Sequence, residues 1–186
     1  NLIVGLDFPF SFPAWYVRHH SCANVREFWV KVRDNGLSWL DQPPFHARGS
    51  WNSGPFGGES CLRRTDIEVL GHPESVFKVV GPKQVAKGAL TGIPALLALR
   101  DAGLAIWPFD RPKMPFALEI FPRALYDAPV TKSDEAARRS YLGRCGGSME
   151  PRHRRDAERS DDAFDAVVSA HRMHRERESL AMLSGP

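Results

Sequence analysis

Four carboxylates in three separate segments are the residues of this sequence best suited to chemistry. Asp7 ends an apolar run, and Glu119 is the only charge in a second apolar run. Asp162 and Asp165 are three positions apart, which places them on one face of a helix. Ligand sets that contain only oxygen suit Mg2+ or Mn2+. Two such ions, about 3.5 to 4 Å apart, activate a water molecule and stabilise the leaving oxygen of a phosphodiester. The four acids therefore predict a metal site and metal-dependent phosphodiester hydrolysis.

Each carboxylate also has an ordinary structural explanation. Asp7 can open the turn that precedes Pro9. Acids in the first turn of a helix, such as Asp162, complement the helix dipole. Glu119 can pair with an arginine, because burying an unpaired carboxylate is costly. Asp165 lies one turn deeper in its helix and gains little from the dipole, so it is the strongest indication of a site.

Apolar segments predict the strands that carry two of these acids. Residues 2–6 have no polar alternation, which is typical of a strand covered on both faces. Short strands are also expected at Val76–Val80, Leu104–Phe109 and Phe116–Phe121. Ligands of open α/β sheets bind at the carboxyl ends of the strands. An acid that ends a buried strand therefore lies where a site is expected, and the pattern as a whole predicts an α/β fold.

Helices are predicted from apolar periodicity and from capping residues. Positions 25–32 carry an apolar stripe that is typical of a core helix. A helix over Lys83–Gly103 is expected in two pieces, because Gly92 and Pro94 interrupt it. Ser160 caps the last helix, which carries the two aspartates described above.

Two arginine-containing segments are candidates for contact with nucleic acid. The Gly-, Pro- and Ser-rich loop at residues 41–66 combines aromatic residues with cations, as a flap over single-stranded nucleic acid does. The polar segment 143–159 is rich in arginine and is a candidate for phosphate contact, although acids dilute its charge. Solvated surface is the alternative for both segments. The predicted contact residues are Arg48, Arg63, Arg64, Arg152 and Arg155.

Histidine pairs are weaker candidates for chemistry. The pair at His19 and His20 is able to act as an acid or base near Asp7, but a solvated pair is the ordinary alternative. The pair at His171 and His174 has the spacing of metal ligands on a helix. No cysteine or carboxylate accompanies that pair on its face, so packing or surface roles are favoured.

Composition sets the remaining expectations. The 186 residues fit one domain, 1–186, and the net charge of +3 is too small to indicate nucleic acid by itself. Three widely spaced cysteines favour a reducing compartment, and no run resembles a signal peptide or a membrane span. We expect a cytoplasmic protein with no membrane partner; the sequence does not fix its oligomeric state. Neither a phosphate-binding glycine loop nor a nucleophile elbow is present.

Several blocks of the sequence, in order, resemble the domain of unknown function family numbered 429, whose members look like RNase H-fold nucleases. These blocks are LIVGLDFPFSFP, SVFKVVGPKQVAKGALTGIPALLALRDAG, FALEIFP and SDDAFDAVVSA. The resemblance implies an RNase H-like three-layer fold, with a central mixed sheet flanked by helices. It implies a nuclease site with Mg2+ or Mn2+ as cofactor and nucleic acid as partner, and it leaves open whether DNA, RNA or another phosphoester is the substrate.

The block at Asp162–Ala166 is also similar to the helix signature of RuvC-type Holliday junction resolvases, in which both acids bind metal. On this likeness Asp162 and Asp165 are metal ligands, Glu119 is the strand carboxylate, and Asp7 is the acid at the end of a central strand.

The start of the sequence departs from the family pattern. Family members usually open with a further strand that carries an acid, and a hairpin follows it. The present sequence begins inside an apolar strand, so we expect a fold that lacks its N-terminal strands. Two alternatives to a nuclease stay open. In the first, the chain is a non-catalytic RNase H-like module that binds nucleic acid or protein. In the second, it is an inactive fragment.

Overall fold

Contacts between residues divide the chain into two units, Asn1–Ile120 and Phe121–Pro186. Each unit has a hydrophobic cluster of its own. One RNase H-like domain over residues 1–186 stays a prediction. The structure, a computed structural model, describes residues 2–45, 55–69, 73–81, 84–111, 113–145 and 149–183.

The first unit combines a small parallel sheet with helices, which confirms the α/β class. Its strands are β1 (Ile3–Leu6), β2 (Pro55–Phe56), β3 (Glu59–Ser60), β4 (Ala105–Trp107) and β5 (Phe116–Glu119). Its α-helices are α1 (Ala14–His19), α2 (Val25–Asn35), α3 (Arg64–Glu68) and α4 (Val85–Asp101). A 3-10 helix, Gly36–Asp41, follows α2. Strands are thus confirmed at residues 2–6, 104–109 and 116–121. However, β1 is half-buried at one side of the three-stranded sheet, so the prediction that it is a central strand covered on both faces is wrong for the described sheet.

The main sheet has the order β1-β5-β4, and both pairings are parallel. Its centre, β5, is apolar and buried over Phe116–Leu118, as expected for a strand covered on both faces. The register pairs Leu6 with Glu119. The carboxyl ends of β1 and β5 therefore lie side by side.

The helix α2 forms where the apolar stripe predicts it. The Asn24 side chain caps it by accepting a hydrogen bond from the Glu27 N–H. The stripe buries Phe28, Trp29 and Val32 in the core of the first unit. Burial of this face, rather than intrinsic helix propensity, therefore holds α2 in place.

The prediction that residues 83–103 form two helical pieces is wrong. The structure has one helix, α4, with Pro94 inside it. One face of α4 is buried, and this burial offsets the roughly 3 kcal/mol that an internal proline costs. At Gly92 an added Cβ would lie 2.6 Å from the Phe8 ring, so the glycine lets Phe8 pack directly on the helix. Gly92 is thus the site where Phe8 packs on α4, and it does not mark the end of a helix.

Two further segments of the first unit differ from expectation. The predicted strand at Val76–Val80 is wrong, because Val76 and Phe77 form a turn buried in the core. The loop predicted at 41–66 contains the β2–β3 hairpin and the start of α3. Gly57 and Gly58 form the hairpin turn with φ of 58° and 87°, a conformation that glycine adopts without strain.

The second unit is helical. It consists of a 3-10 helix, Pro122–Leu125, and the helices α5 (Glu135–Arg144), α6 (Pro151–Arg159), α7 (Asp161–Arg175) and α8 (Arg177–Met182). Ser160 caps α7 as predicted, since its side chain accepts from the Ala163 N–H. The last helix ends earlier than the sequence suggests, because Glu176 separates α7 from α8. Among the described residues, no helix has the length and hydrophobicity that crossing a membrane requires.

Candidate functional site: two carboxylates held by side-chain cations

In the first unit, Asp7 and Glu119 lie at the carboxyl ends of two neighbouring strands of the sheet. Glu119 is the last residue of β5, and Asp7 directly follows β1, whose Leu6 is the register partner of Glu119. Asp7 is exposed. The carboxyl end of the strands is where open α/β sheets bind ligands. The structure therefore brings together the two strand-end acids that the sequence singled out.

Both oxygens of Glu119 are held by Arg63. The guanidinium Nη2 donates to Oε1 at 2.6 Å, and Nη1 donates to Oε2 at 2.8 Å. Oε2 also accepts from the Phe10 N–H at 2.8 Å. Such a two-pronged arginine–carboxylate pair is among the stronger charged hydrogen-bond arrangements. Glu119 thus has the arginine partner that the sequence allowed as the alternative to a metal.

Arg63 binds a second carboxylate at the start of α3. Its Nη2 donates to Asp66 Oδ1 at 2.7 Å, and its backbone N–H donates to Asp66 Oδ2 at 2.9 Å. The Arg63 and Asp66 side chains are only 13% and 3% exposed. Burial lowers the pKa of the Arg63 guanidinium, but the hydrogen bonds to Glu119 and Asp66 outweigh this effect and raise it above its ordinary value. Arg63 is therefore a fixed cation that joins α3 to the sheet edge.

In the second unit, Asp165 is held in a similar way. It is 9% exposed on α7, and its two oxygens accept from the Tyr126 hydroxyl and the Lys132 ammonium. Burial lowers the pKa of Lys132, but the hydrogen bond to Asp165 and the nearby charges of Asp161 and Asp162 raise it overall. Lys132 is therefore the cation that balances this acidic helix start.

The face of α7 that carries Asp165 contains one unsatisfied polar group. Ser169, one turn further along, is 2% exposed, and its hydroxyl has no hydrogen-bond partner among the described residues. Asp162 is exposed. Burial of both Asp165 and Ser169 fits the predicted polar face at these positions, and the lone hydroxyl has unused hydrogen-bonding capacity.

The acids as arranged do not fit a metal ion. The oxygens of Glu119 already accept from Arg63, and those of Asp165 accept from Tyr126 and Lys132. Within the part of the chain that the structure describes, no group of three or more His, Cys, Asp and Glu side chains is placed to hold a metal. The Mg2+ or Mn2+ site of Asp7, Glu119, Asp162 and Asp165 stays a prediction.

The five arginines predicted to contact nucleic acid have different environments. Arg48 lies outside the described residues. Arg63 is buried in the network with Glu119, and the exposed Arg64 pairs with Glu68 at 2.7 Å. Arg152 and Arg155 are exposed on α6 and form no ion pair with any described residue. Of the described arginines in the prediction, these two are free to bind an external anion.

The His20 side chain is packed against other residues, whereas the sequence favours a solvated pair of His19 and His20. Its ring stacks on Trp39 with centroids 4.1 Å apart, and its Nε2 atom is buried without a partner among the described residues. Burial, together with the smaller effects of the charges of His19 and Lys31, lowers the pKa of His20 from 6.5 to about 4. His20 is therefore neutral at pH 7 and contributes to packing.

Sequence reasoning missed the two partners of Asp165. Tyr126 lies 39 positions before it and Lys132 lies 33 positions before it, in a segment without apolar periodicity. The general rule that a buried carboxylate needs a cation predicts that a partner exists, but local sequence does not identify it.

Comparison with protein-family models, with curated proteins and with solved structures finds no match to this chain.

We expect Glu119→Gln to lower the free energy of unfolding by about 1 to 3 kcal/mol, because it leaves a buried guanidinium short of one negative partner. Glu68→Gln is the matched control. It removes the same kind of charge from a pair whose side chains are 89% and 58% exposed, and it should change stability by less than about 0.5 kcal/mol. Urea unfolding measures both values. Equal effects would show that the Arg63 network contributes nothing beyond a surface pair.

The stability of the first unit should fall as the pH drops from 6.5 towards 4. In this window the unfolded chain protonates His20, whereas the folded chain keeps it neutral down to about pH 4. The unfolded state then binds more protons, so acid favours unfolding, and the full contribution is present above pH 6.5. We expect a loss of about 1 to 2 kcal/mol after allowance for solvent screening.

The His20→Phe variant tests this assignment, because it keeps a ring against Trp39 but has no titrating group. Urea unfolding at a series of pH values should show a flatter acid limb for this variant. His153→Gln, which removes an exposed histidine, should leave the slope unchanged. An unchanged slope in His20→Phe would assign the acid sensitivity to other groups.

Proposed function

We propose that this chain binds nucleic acid through the outward face of α6, without catalysing a reaction on it. The observation that carries the proposal is a row of three exposed arginines without ion pairs among the described residues: Arg152, Arg155 and Arg159. Several other surface arginines of the same unit are paired with carboxylates; Arg139, for example, donates to Glu135 at 2.6 Å. The outer face of α6 therefore carries three neighbouring cations that are available to an external anion.

Helix geometry brings these three arginines together. Each residue of an α-helix is rotated by about 100° from the one before it. Arg155 and Arg159 lie two positions on either side of Ala157, which is fully buried. They therefore point to the opposite, outer side of α6, and Arg152 lies one turn before Arg155 on the same side. Asp156 is the acid nearest to this face, and it bonds none of the three.

Contacts within the second unit explain why other arginines near α6 are not part of this face. Arg154 donates to Glu158 at 3.3 Å, and Arg138 donates to the Glu158 carbonyl oxygen. The guanidinium of Arg144 lies 5.5 Å from the centre of the Tyr141 ring. Arginine is well suited to phosphate, because its planar donors match the geometry of phosphate oxygens. Three free arginines at helical spacing thus support contact with a phosphate backbone and give no base specificity.

The test compares wild-type protein with the triple variant R152Q/R155Q/R159Q in titrations of labelled single-stranded and duplex DNA at several salt concentrations. Each lost phosphate contact should reduce the slope of log K against log salt by about 0.7 for single strands and about 0.9 for duplex. The triple variant should therefore lose about two to three units of slope.

The control is the triple variant R33Q/R139Q/R177Q, which removes the same charge from arginines that each form an ion pair with a carboxylate. Its slope should stay close to that of the wild type. If the two triple variants behave alike, the binding reflects net charge and the proposed face is wrong. If the wild type binds neither single-stranded nor duplex DNA, this face does not bind nucleic acid, and an acidic protein becomes the partner to examine.

A second candidate is the metal-dependent nuclease that the sequence predicts. One observation favours it: Asp165 and Ser169 are polar, buried and on one face of α7, and the Ser169 hydroxyl has no partner among the described residues. This activity requires Arg63 and Lys132 to leave the carboxylates that they bind in this structure. Nuclease activity thus requires a rearrangement of these ion pairs, whereas binding of nucleic acid by α6 requires none.

Cleavage of DNA and RNA in Mg2+ or Mn2+ tests this candidate. If the chain is a nuclease, Asp165→Asn should lower the rate by about a hundredfold or more, as expected for loss of a group that acts on the reacting atoms. Asp161→Asn, which removes an exposed acid from the same helix turn, should retain most of the rate. Absence of cleavage by the wild type with either metal, or a full rate in Asp165→Asn, would exclude the candidate for this chain.

A further inference from the structure

A solvent-accessible cavity in the first unit lies between the start of α2, the end of α4 and the turn after β4. Its volume is about 320 Å3, which is at the lower end of the range for small-molecule sites. It is remote in sequence from α6, and it uses none of the acids discussed above. The residues that line it come from two helices and from the turn after β4.

The charge around this cavity is positive. Arg26 is exposed in the first turn of α2 and forms no ion pair with any residue that the structure describes. A cation at this end of a helix is unfavourable, because the helix dipole is positive there. Arg100 also lines the cavity and forms an ion pair with Asp110, in which Nη2 and Oδ1 are 2.7 Å apart. Two guanidiniums against one carboxylate leave one positive charge in excess.

The single carboxylate of the cavity is already satisfied. Asp110 Oδ1 is ion-paired with Arg100, and its Oδ2 accepts a hydrogen bond from the Ile106 N–H at 3.0 Å. Arg100 keeps further N–H donors, since a guanidinium has five and this ion pair uses one of them. The unused donors of Arg26 and Arg100 are therefore available to an anion.

An aromatic wall completes the cavity. Phe109 is 39% exposed, and its ring packs edge-to-face on the buried Trp29 with centroids 5.5 Å apart. The Trp29 N–H donates to the Phe10 carbonyl oxygen at 2.7 Å, which fixes the indole ring. An exposed phenyl ring on a rigid support gains free energy when a flat apolar group covers it.

We propose that this cavity binds a small aromatic acid, whose ring packs on Phe109 and whose carboxylate or phosphate binds Arg26 and Arg100. Both headgroups match the donor geometry of arginine. The volume admits a single-ring compound. The proposal adds a second ligand to the chain and does not depend on the proposed binding of nucleic acid by α6.

Titration calorimetry on the full chain tests the proposal with three probes: benzoate, phenyl phosphate and the neutral benzamide. Either acid should bind at least about tenfold more tightly than benzamide, because a charged hydrogen bond is lost in the neutral compound. The acid that binds more tightly identifies the preferred headgroup. Failure of both acids to bind, or equal binding of benzamide, would overturn the proposal.

Two variants locate the binding. Arg26→Gln should weaken the acids about tenfold or more and leave benzamide unchanged, whereas Phe109→Ala should weaken all three probes. The control is Arg33→Gln, which removes an exposed arginine from the last turn of the same helix, where Arg33 pairs with Asp34. If Arg26→Gln binds the acids as the wild type does, or if Arg33→Gln weakens them equally, the site is not this cavity.

Discussion

Neutralisation of Glu119 is the constraint on which the first unit depends. Its carboxylate ends the central strand of the sheet and is only 30% exposed, so an uncompensated charge there would be costly. Arg63, 56 positions earlier, supplies the cation. Because Arg63 directly precedes α3 and also binds Asp66 within that helix, the pairing with Glu119 ties α3 to the end of β5. The carboxyl end of the sheet, where open α/β sheets receive their ligands, therefore already holds a cation that the protein itself provides.

The second unit satisfies Asp165 by the same principle with different residues. Lys132 and Tyr126 occupy its two oxygens, much as Arg63 occupies those of Glu119. A buried ion pair is stable only while both partners remain, and removal of one leaves a desolvated charge. A metal at either acid would therefore have to displace a side-chain cation from the carboxylate that it binds. Nucleic-acid binding by the free arginines of α6 carries no such cost, which is why the geometry favours it.

The parts of this fold that could be predicted from the sequence are those that local periodicity determines. The strand at residues 2–6, the helix α2 and the cap at Ser160 follow from apolar spacing and capping residues within a few positions. The continuity of α4 cannot be predicted from local sequence, because the role of Gly92 depends on its contact with Phe8, more than eighty positions away. For the candidate site, the sequence identified the acids. It could not identify Arg63 as the partner of Glu119, since any arginine in the chain satisfies the same electrostatic rule.

The arginines show most clearly why composition does not determine function in this chain. Arg63 and Arg152 are the same residue type in polar segments, and both were reasonable candidates for phosphate contact. Arg63 binds Asp66 and Glu119 inside the protein, whereas Arg152 forms no ion pair with any described residue. A net charge of +3 says nothing of this difference. Affinity for an anion depends on the donors that tertiary structure leaves unpaired, such as those of Arg152 on α6 and of Arg26 beside the cavity.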